Sequence, residues 1–204
     1  ATVKENLAIA PDNAIVRTQW GRVLISTRRY NEALNVLTDL AKDEPDSLYV
    51  RLLLAETYFF LKRTDDVIAE LDTVLEKDPN SLGGLALMAR VALQKGDFEQ
   101  SGLYADKIQT LHPESSLGYE LSGDSLSGRQ AYEQAKTKYA EAWKQKPSSE
   151  LAIKIASVSA RTDDPAGIDL LKTWAEEHED DLKARQMLAM LLMSKGQKQE
   201  AIAM

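Results

Sequence analysis

Apolar and polar positions follow a pattern along this chain that repeats every 34 residues. Each period holds two segments of roughly a dozen residues with apolar side chains at helical spacing, which predicts two amphipathic helices per period. In the first period the predicted inward positions are Trp20, Gly21, Leu24, Ala33, Leu37 and Leu40. Small residues recur at positions 21, 55, 89, 123, 157 and 189, where we expect one helix backbone to approach its partner closely.

Prolines and helix caps mark the same period. Prolines stand at positions 11, 45, 79, 113 and 147, each 34 residues after the last. Two residues after each proline lies a side chain that caps helix N-termini by accepting a hydrogen bond from a free backbone N–H group: Asn13, Ser47, Ser81, Ser115 and Ser149. Asp181 continues the series after a spacing of 32. A fixed period of this length predicts an all-α array of stacked helix pairs.

The period divides residues 1–204 into repeats of one array. It predicts the second helix of a truncated repeat over 1–13, a partial repeat over 182–204, and between them the complete repeats 14–47, 48–81, 82–115, 116–149 and 150–181. The fifth repeat departs from the pattern, because it carries Glu179 where a proline is expected and loses two residues around 161–164. Since Pro165 then begins its second helix, we expect a shortened first helix or a tighter turn there.

This register of small residues, prolines and caps resembles the tetratricopeptide repeat (TPR) family over the whole chain. The resemblance implies an all-α, right-handed α-solenoid of helix-turn-helix repeats, an alpha-alpha superhelix. It also implies a scaffold that binds proteins or peptides and is not an enzyme. The family's first-helix Trp is replaced here by Arg17, Arg51, Leu85, Tyr119, Ile153 and Arg185.

Two runs, 118–143 and 170–202, resemble more narrowly the large TPR lipoproteins of bacterial exosortase/PEP-CTERM systems. This resemblance depends on Gly118-Tyr119, Gly123-Asp124, the spacing of Trp174 and His178, and Asp181. It implies an envelope or periplasmic protein linked to exopolysaccharide production and protein sorting, with a lipid anchor outside this segment. A cytoplasmic location is the alternative.

Composition narrows the range of partners. The net charge is −7 and the sequence has no run of Lys and Arg, whereas a nucleic-acid partner needs a basic stripe to displace counterions from phosphates. No apolar run is long enough to cross a bilayer, so we expect no direct membrane insertion of this segment. The absence of cysteine removes thiol catalysis, disulfides and thiolate metal sites.

The sequence assembles no catalytic motif, and we expect no cofactor. Its two histidines, His112 and His178, lie near the predicted ends of second helices, where a positive or dipolar group faces the C-terminal carbonyls. A metal site of His178 with Glu177, Glu179 and Asp181 is conceivable. A solvated acidic turn with a helix cap is favoured, because the sequence offers neither a thiolate nor a second nearby His.

The resemblance implies that the first helices of successive repeats line a concave face. The candidate ligand-binding residues on that face are Arg22, Tyr49, Leu52, Glu56, Phe59, Phe60, Arg90, Gln94 and Asp124. Two interpretations remain open for the aromatic residues: they pack between helices as core, or they form the floor of a groove for a peptide. An alternative function is a polysaccharide-binding component, which needs open aromatic faces at Tyr49, Phe59 and Phe60 beside Glu56 and Gln94.

Charges of alternating sign cross the same face. Arg22, Glu56, Arg90 and Asp124 occupy one equivalent position in four successive repeats. This pattern predicts a ladder of ion pairs between repeats. The ladder either fixes the register in which the repeats stack or binds a polar ligand. Each exposed pair stabilises the fold by only ~0.2–1 kcal/mol.

The ends of the array lack the polar capping helix that repeat proteins usually carry. The last helix stops at Met204 with Ala201 and Ile202 on the face that a further repeat would cover. We therefore expect the exposed ends of this segment to self-associate with another copy.

Overall fold

The computed structural model of the chain describes residues 12–202, and over these residues every regular element is a helix. The predicted helix within 1–13 lies outside the described residues, apart from its last two positions. The helices are α1 (Ala14–Ser26), α2 (Tyr30–Asp43), α3 (Leu48–Phe60), α4 (Thr64–Lys77), α5 (Leu82–Lys95), α6 (Phe98–Leu111), α7 (Ser116–Gly128), α8 (Tyr132–Gln145), α9 (Ser149–Arg161), α10 (Ala166–Glu177), α11 (Leu182–Ser194) and α12 (Lys198–Ile202).

The chain divides into two compact units, Ala1–Val91 and Ala92–Met204, and the division falls within α5. We call them unit 1 and unit 2. The core of unit 1 is built from buried aliphatic side chains of α1 to α5, and the core of unit 2 from buried side chains of α8 to α11 around Tyr139. The apolar positions predicted for the first repeat are buried, with Leu24, Leu37 and Leu40 fully enclosed and Trp20 packed against them.

Small residues allow the two helices of a repeat to pack closely. A Cβ atom added to Gly21 would lie only 2.7 Å from Cδ2 of Leu37 on the facing helix. Ala55 and Ala89 are fully buried at the same register, and a Cβ on Gly123 would collide with the ring of Tyr139. The close approach that the sequence predicts is therefore present in both units.

Four of the six predicted helix caps are confirmed. Asn13 accepts a hydrogen bond from the Val16 N–H at 3.1 Å, and Asp181 accepts one from the Ala184 N–H at 3.1 Å. Ser47 and Ser81 make the equivalent bonds to Val50 and Gly84. Ser115 occupies the N-cap position of α7, but its side chain makes no capping hydrogen bond.

The prediction that Ser149 caps the fifth repeat is wrong. Ser148 is the cap, because its hydroxyl accepts the Leu151 N–H at 3.2 Å and the helix begins at Ser149. The small-residue position moves with it, so that Ala156 rather than Ser157 is the fully buried contact residue.

The fifth repeat is two residues shorter than the others, and the shortening does not fall where the sequence predicts it. Its first helix, α9, has 13 residues, as α7 has, so it is not shortened. The turn 162–165 is one residue longer than the turn 129–131, and Pro165 is the N-cap of α10. The loss falls on the connection before α9, which is one residue short, and on α10, which has 12 residues where α8 has 14.

The turn between α10 and α11 has no proline, and aromatic stacking takes its place. The ring of His178 stacks on Trp174 with centroids 3.8 Å apart, and the Trp174 indole N–H donates to Asp181 at 2.9 Å. Since Asp181 also caps α11, these three side chains join the end of one helix to the start of the next.

Each turn within a repeat contains one residue in the left-handed region. These residues are Arg28, Lys62, Gly96, Gln130, Asp163 and Gly196, with φ between 53° and 81°. In each turn the next residue donates its N–H to a carbonyl five residues earlier, as Asp97 does to Ala92 at 2.9 Å. This is the Schellman arrangement, which glycine adopts without steric cost. Gly96 and Gly196 therefore hold the turn position to which glycine is best suited.

The turns allow the energetic cost of the left-handed backbone conformation to be measured on its own. A Cβ added to Gly96 meets no atom within 4 Å, so Gly96→Ala is expected to destabilise the fold by about 1 kcal/mol through its φ angle alone. Gln130→Gly should raise stability by up to about 1 kcal/mol, because it relieves the same strain. Urea unfolding followed by circular dichroism checks both variants. A midpoint that moves in the same direction for the two would contradict the explanation.

Candidate functional site

A groove of about 710 Å³ opens on unit 1 between α1, α3 and the turns that follow them. Its lining residues come from both helices, from both turns and from the first residue of α2: Arg22, Ile25, Ser26, Arg28, Tyr30, Leu53, Glu56, Phe60 and Lys62. Because the groove spans two consecutive repeats, its width is set by the packing of α1 against α3. We call it the unit 1 groove.

A pair of stacked aromatic rings lies in this groove. Tyr30, the first residue of α2, and Phe60, the last residue of α3, have ring centroids 4.8 Å apart and an interplanar angle of 13°. Phe60 remains 41% exposed, and Phe59 meets it edge-on at 5.8 Å. An exposed ring held by stacking offers a rigid apolar contact surface.

The cations of the groove lack the partners that their sequence neighbours have. Arg29 pairs with Glu32, and Arg63 pairs with Asp66 at 2.8 Å, so both are neutralised by the first turn of the following helix. The residues immediately before them, Arg28 and Lys62, line the groove instead. Neither forms an ion pair with any residue of the described part of the chain, and the same holds for Arg22.

Glu56 is the carboxylate of the groove. It is half-buried, and burial raises its pKa, while the positive charges of Arg90 and Arg22 act in the opposite direction and lower it in part. Within residues 12–91 these three side chains form no direct ion pair with one another, so the predicted ladder of contacts is wrong in unit 1. Their interaction is a longer-range attraction that leaves both guanidinium groups open to solvent.

A second, smaller pocket of about 300 Å³ adjoins the first on α1. Its lining includes Ile15, Thr18, Glu44 and Tyr49, and it shares Arg22 with the unit 1 groove. Tyr49 is 49% exposed. Arg22 therefore lies between two recesses on the same face of unit 1.

The candidate residues predicted from the sequence separate into five groups. Arg22, Glu56 and Phe60 line the groove and Tyr49 lines the smaller pocket, whereas Leu52 and Phe59 are half-buried and pack against the core of unit 1. Arg90 is exposed and acts on Glu56 through its charge. Gln94 and Asp124 belong to unit 2, where Gln94 is exposed. Ligand binding by these nine residues stays a prediction.

Sequence reasoning missed Arg28, Tyr30 and Lys62. A signal for two of them was present, because positions 28 and 62 precede Gly96 in the same 34-residue register. The turn favours glycine at these two positions, and both hold a cation instead.

In unit 2, Asp124 belongs to a partly buried cluster instead of a ladder. Lys154 contacts Glu120 at 2.6 Å and Asp124 at 2.9 Å, and the Tyr139 hydroxyl donates to Asp124 at 2.7 Å. Burial lowers the pKa of Lys154, but Asp124 and Glu120 outweigh it and raise that pKa above its ordinary value. All four side chains are engaged with one another, which favours a structural role.

The described residues hold neither a metal-binding cluster nor a membrane-spanning helix. Within 12–202 no group of three or more His, Cys, Asp or Glu side chains could hold a metal ion. In the same range each helix is too short or too polar to span a lipid bilayer.

Comparison with known proteins finds similarity to a repeat family over part of the chain. A family model described as "Tetratricopeptide repeat" matches residues 24–91. The bifunctional NrfFG subunit of the formate-dependent nitrite reductase complex of Haemophilus influenzae is 24% identical over 109 residues, which are 52% of this chain and 28% of that protein. The match therefore spans little more than a quarter of that relative.

Solved structures extend the likeness over most of the chain. A thermophilic TPR protein of Thermus thermophilus superposes with a TM-score of 0.81 at 17% identity, covering 89% of this chain and 100% of that one. A tetratricopeptide repeat protein of Parabacteroides merdae gives 0.75 at 16% identity, covering 98% and 80% of the two chains. At such identities the likeness shows the fold, an all-α solenoid of TPR repeats.

The Lys154 cluster provides a test of stability in unit 2. Lys154→Met leaves Glu120 and Asp124 without their cation, and we expect a loss of about 1–3 kcal/mol, since Lys154 is 21% exposed and fully buried pairs lose more. Because its pKa is raised, the contribution is complete at neutral pH and is lost only as pH rises through the folded-state pKa.

The matched control is Lys144→Met, which breaks the exposed pair with Glu141 and should change stability by less than about 0.5 kcal/mol. Urea unfolding at pH 7 measures both variants. Equal losses for the two lysines would show that burial of the Lys154 cluster contributes nothing.

Proposed function

We propose that this chain, whose fold is that of tetratricopeptide-repeat proteins, is a non-catalytic scaffold that binds a protein or peptide partner through the unit 1 groove. The observation that carries the proposal is the combination of an exposed Phe60–Tyr30 stack with three cations that have no ion-pair partner in the described chain. The three cations are exposed to solvent and lie beside a ring that is 41% exposed, so one surface offers both charge and apolar area. A ligand that covers the rings and pairs the cations fits both features.

The groove can be tested with a library of displayed peptides selected on the intact chain. We expect enriched peptides whose binding falls at least tenfold in Phe60→Ala and in Arg22→Glu, because each change removes a distinct part of the surface. Arg129→Glu, an exposed charge reversal in unit 2, should leave binding unchanged. Biolayer interferometry measures the affinities. No enrichment, or equal binding by all variants, would contradict the proposal.

We further propose that the partner belongs to a bacterial envelope system for exopolysaccharide export and protein sorting of the PEP-CTERM type, and that the protein works in the envelope or periplasm. The support is the resemblance of 118–143 and 170–202 to the TPR lipoproteins of exosortase systems. The structure gives part of that pattern a physical role, because Trp174, His178 and Asp181 together form the proline-free turn. A cytoplasmic scaffold is the alternative.

This assignment predicts a phenotype. Deleting the gene in a bacterium that has an exosortase should impair surface sorting of PEP-CTERM proteins, and the wild-type gene should restore it. Immunoblots of cell-surface fractions measure the effect. Normal sorting in the deletion strain would remove the link to the exosortase and leave the groove proposal untouched.

Direct polysaccharide binding is a second candidate function, favoured by the exposure of Phe60 in the same groove as Glu56 and of Tyr49 in the adjoining pocket. Phe59 is half-buried in the core, so it offers a sugar less ring surface than this function needs. Self-association also stays a prediction. Its support is the exposure of Leu182, Met190, Met193 and Ile202 on α11 and α12.

A further inference from the structure

We propose that the unit 1 groove recognises an acidic peptide segment that carries a bulky apolar side chain. Arg22, Arg28 and Lys62 would pair with the carboxylates of the segment, and the Phe60–Tyr30 stack would contact its apolar side chain. This inference deepens the proposed function and depends on the groove being the binding surface.

The first observation is the backbone of the two turns that border the groove. Arg28 has φ 60° and Lys62 has φ 62°, values that cost a non-glycine residue energy and that Gly96 and Gly196 adopt freely in the corresponding turns. Both strained residues are cations, and both line the groove. Gln130 and Asp163 adopt the same conformation in unit 2, so the strain alone assigns no role; what distinguishes Arg28 and Lys62 is that both are cations that line the groove.

The second observation is charge complementarity. The groove is lined by three cationic side chains and one carboxylate, in a chain whose net charge is −7. The neighbouring cations Arg29 and Arg63 are neutralised by Glu32 and Asp66, so the unpaired positive charge of these two turns lies on the groove side. A local excess of one sign favours ligands of the opposite sign and speeds their association.

The third observation separates a peptide from other anions. Ile25 and Leu53 lie among the lining residues with the Phe60–Tyr30 stack, so the positive groups surround an apolar floor. A short peptide segment supplies carboxylates and an apolar side chain together. Inorganic phosphate supplies the anion alone and would leave the floor uncovered, whereas a sugar ring of an acidic polysaccharide would cover the exposed face of Phe60 without an apolar side chain to fill the groove.

The test uses three fluorescein-labelled peptides of twelve residues with the intact chain. The first contains four Asp or Glu residues around one Trp; the second has Asn and Gln in place of the acids; the third has Ser in place of Trp. We expect the first to bind at least tenfold more tightly than either of the others in fluorescence anisotropy. Its affinity should fall as salt rises, because exposed ion pairs are screened.

The decisive variant is the double substitution Arg28→Gly and Lys62→Gly. Glycine suits both turns, so this variant removes the charges while the fold is retained or stabilised, and circular dichroism verifies this. We expect at least tenfold weaker binding of the acidic peptide. Gln130→Gly makes the same backbone change in unit 2 and should leave binding unchanged.

Other outcomes overturn the inference in distinguishable ways. If the neutral peptide binds as tightly as the acidic one and Phe60→Ala abolishes both, the groove binds peptides without preferring acidic ones. If no peptide binds here and the display library yields none, the proposed function itself fails. Competition of inorganic phosphate or a uronic-acid polysaccharide at equal affinity would assign the site to anions in general. Dimerisation in sedimentation that the double variant abolishes, without peptide binding, would assign the groove to a second copy of the chain.

Discussion

The close approach of the two helices within each repeat is the constraint on which the rest of the structure depends. At Gly21 the facing Leu37 leaves no room for a Cβ atom, and at Gly123 the ring of Tyr139 fills the same space. Buried alanines, Ala55 and Ala89, hold this position in the repeats between. Because the two helices touch there, the apolar side chains of each first helix pack against the second helix of the same repeat. The side chains on its other face, Arg22 and Glu56 among them, are left to line a surface.

The turn between the paired helices is the second constraint, and it connects the fold to the candidate site. A Schellman turn requires one left-handed residue, and each of the six turns of the described chain supplies one. The requirement concerns only the backbone, so the side chain at that position is free to point outward. In unit 1 the outward position is used by Arg28 and Lys62 beside the aromatic stack. In unit 2 it is held by glycine, Gln130 or Asp163, and there the charged groups of Lys154 and Asp124 are paired with each other.

The sequence predicted the helix pairs and most caps because both follow from local chemistry that repeats at a fixed spacing. It misplaced the cap of α9 because Ser148 and Ser149 have the same capping chemistry, and only the packing of Ala156 distinguishes the two registers. The site was predicted in part. Arg22, Glu56 and Phe60 follow from helical periodicity, whereas Tyr30 belongs to the start of a second helix and reaches the groove only through tertiary packing. The ion-pair ladder was wrong in unit 1 because equivalent register does not guarantee contact between side chains.

The left-handed residues have a consequence for any attempt to stabilise this protein. Replacing turn residues by the glycine that the backbone favours is a standard route to a more stable repeat array. At Gln130 that exchange removes nothing that the structure uses elsewhere. At Arg28 and Lys62 it would remove two of the three cations of the unit 1 groove. Stability therefore favours glycine at these two positions, whereas the proposed recognition of an acidic peptide requires the cations, so a consensus redesign of the repeats would remove the groups on which that proposal depends.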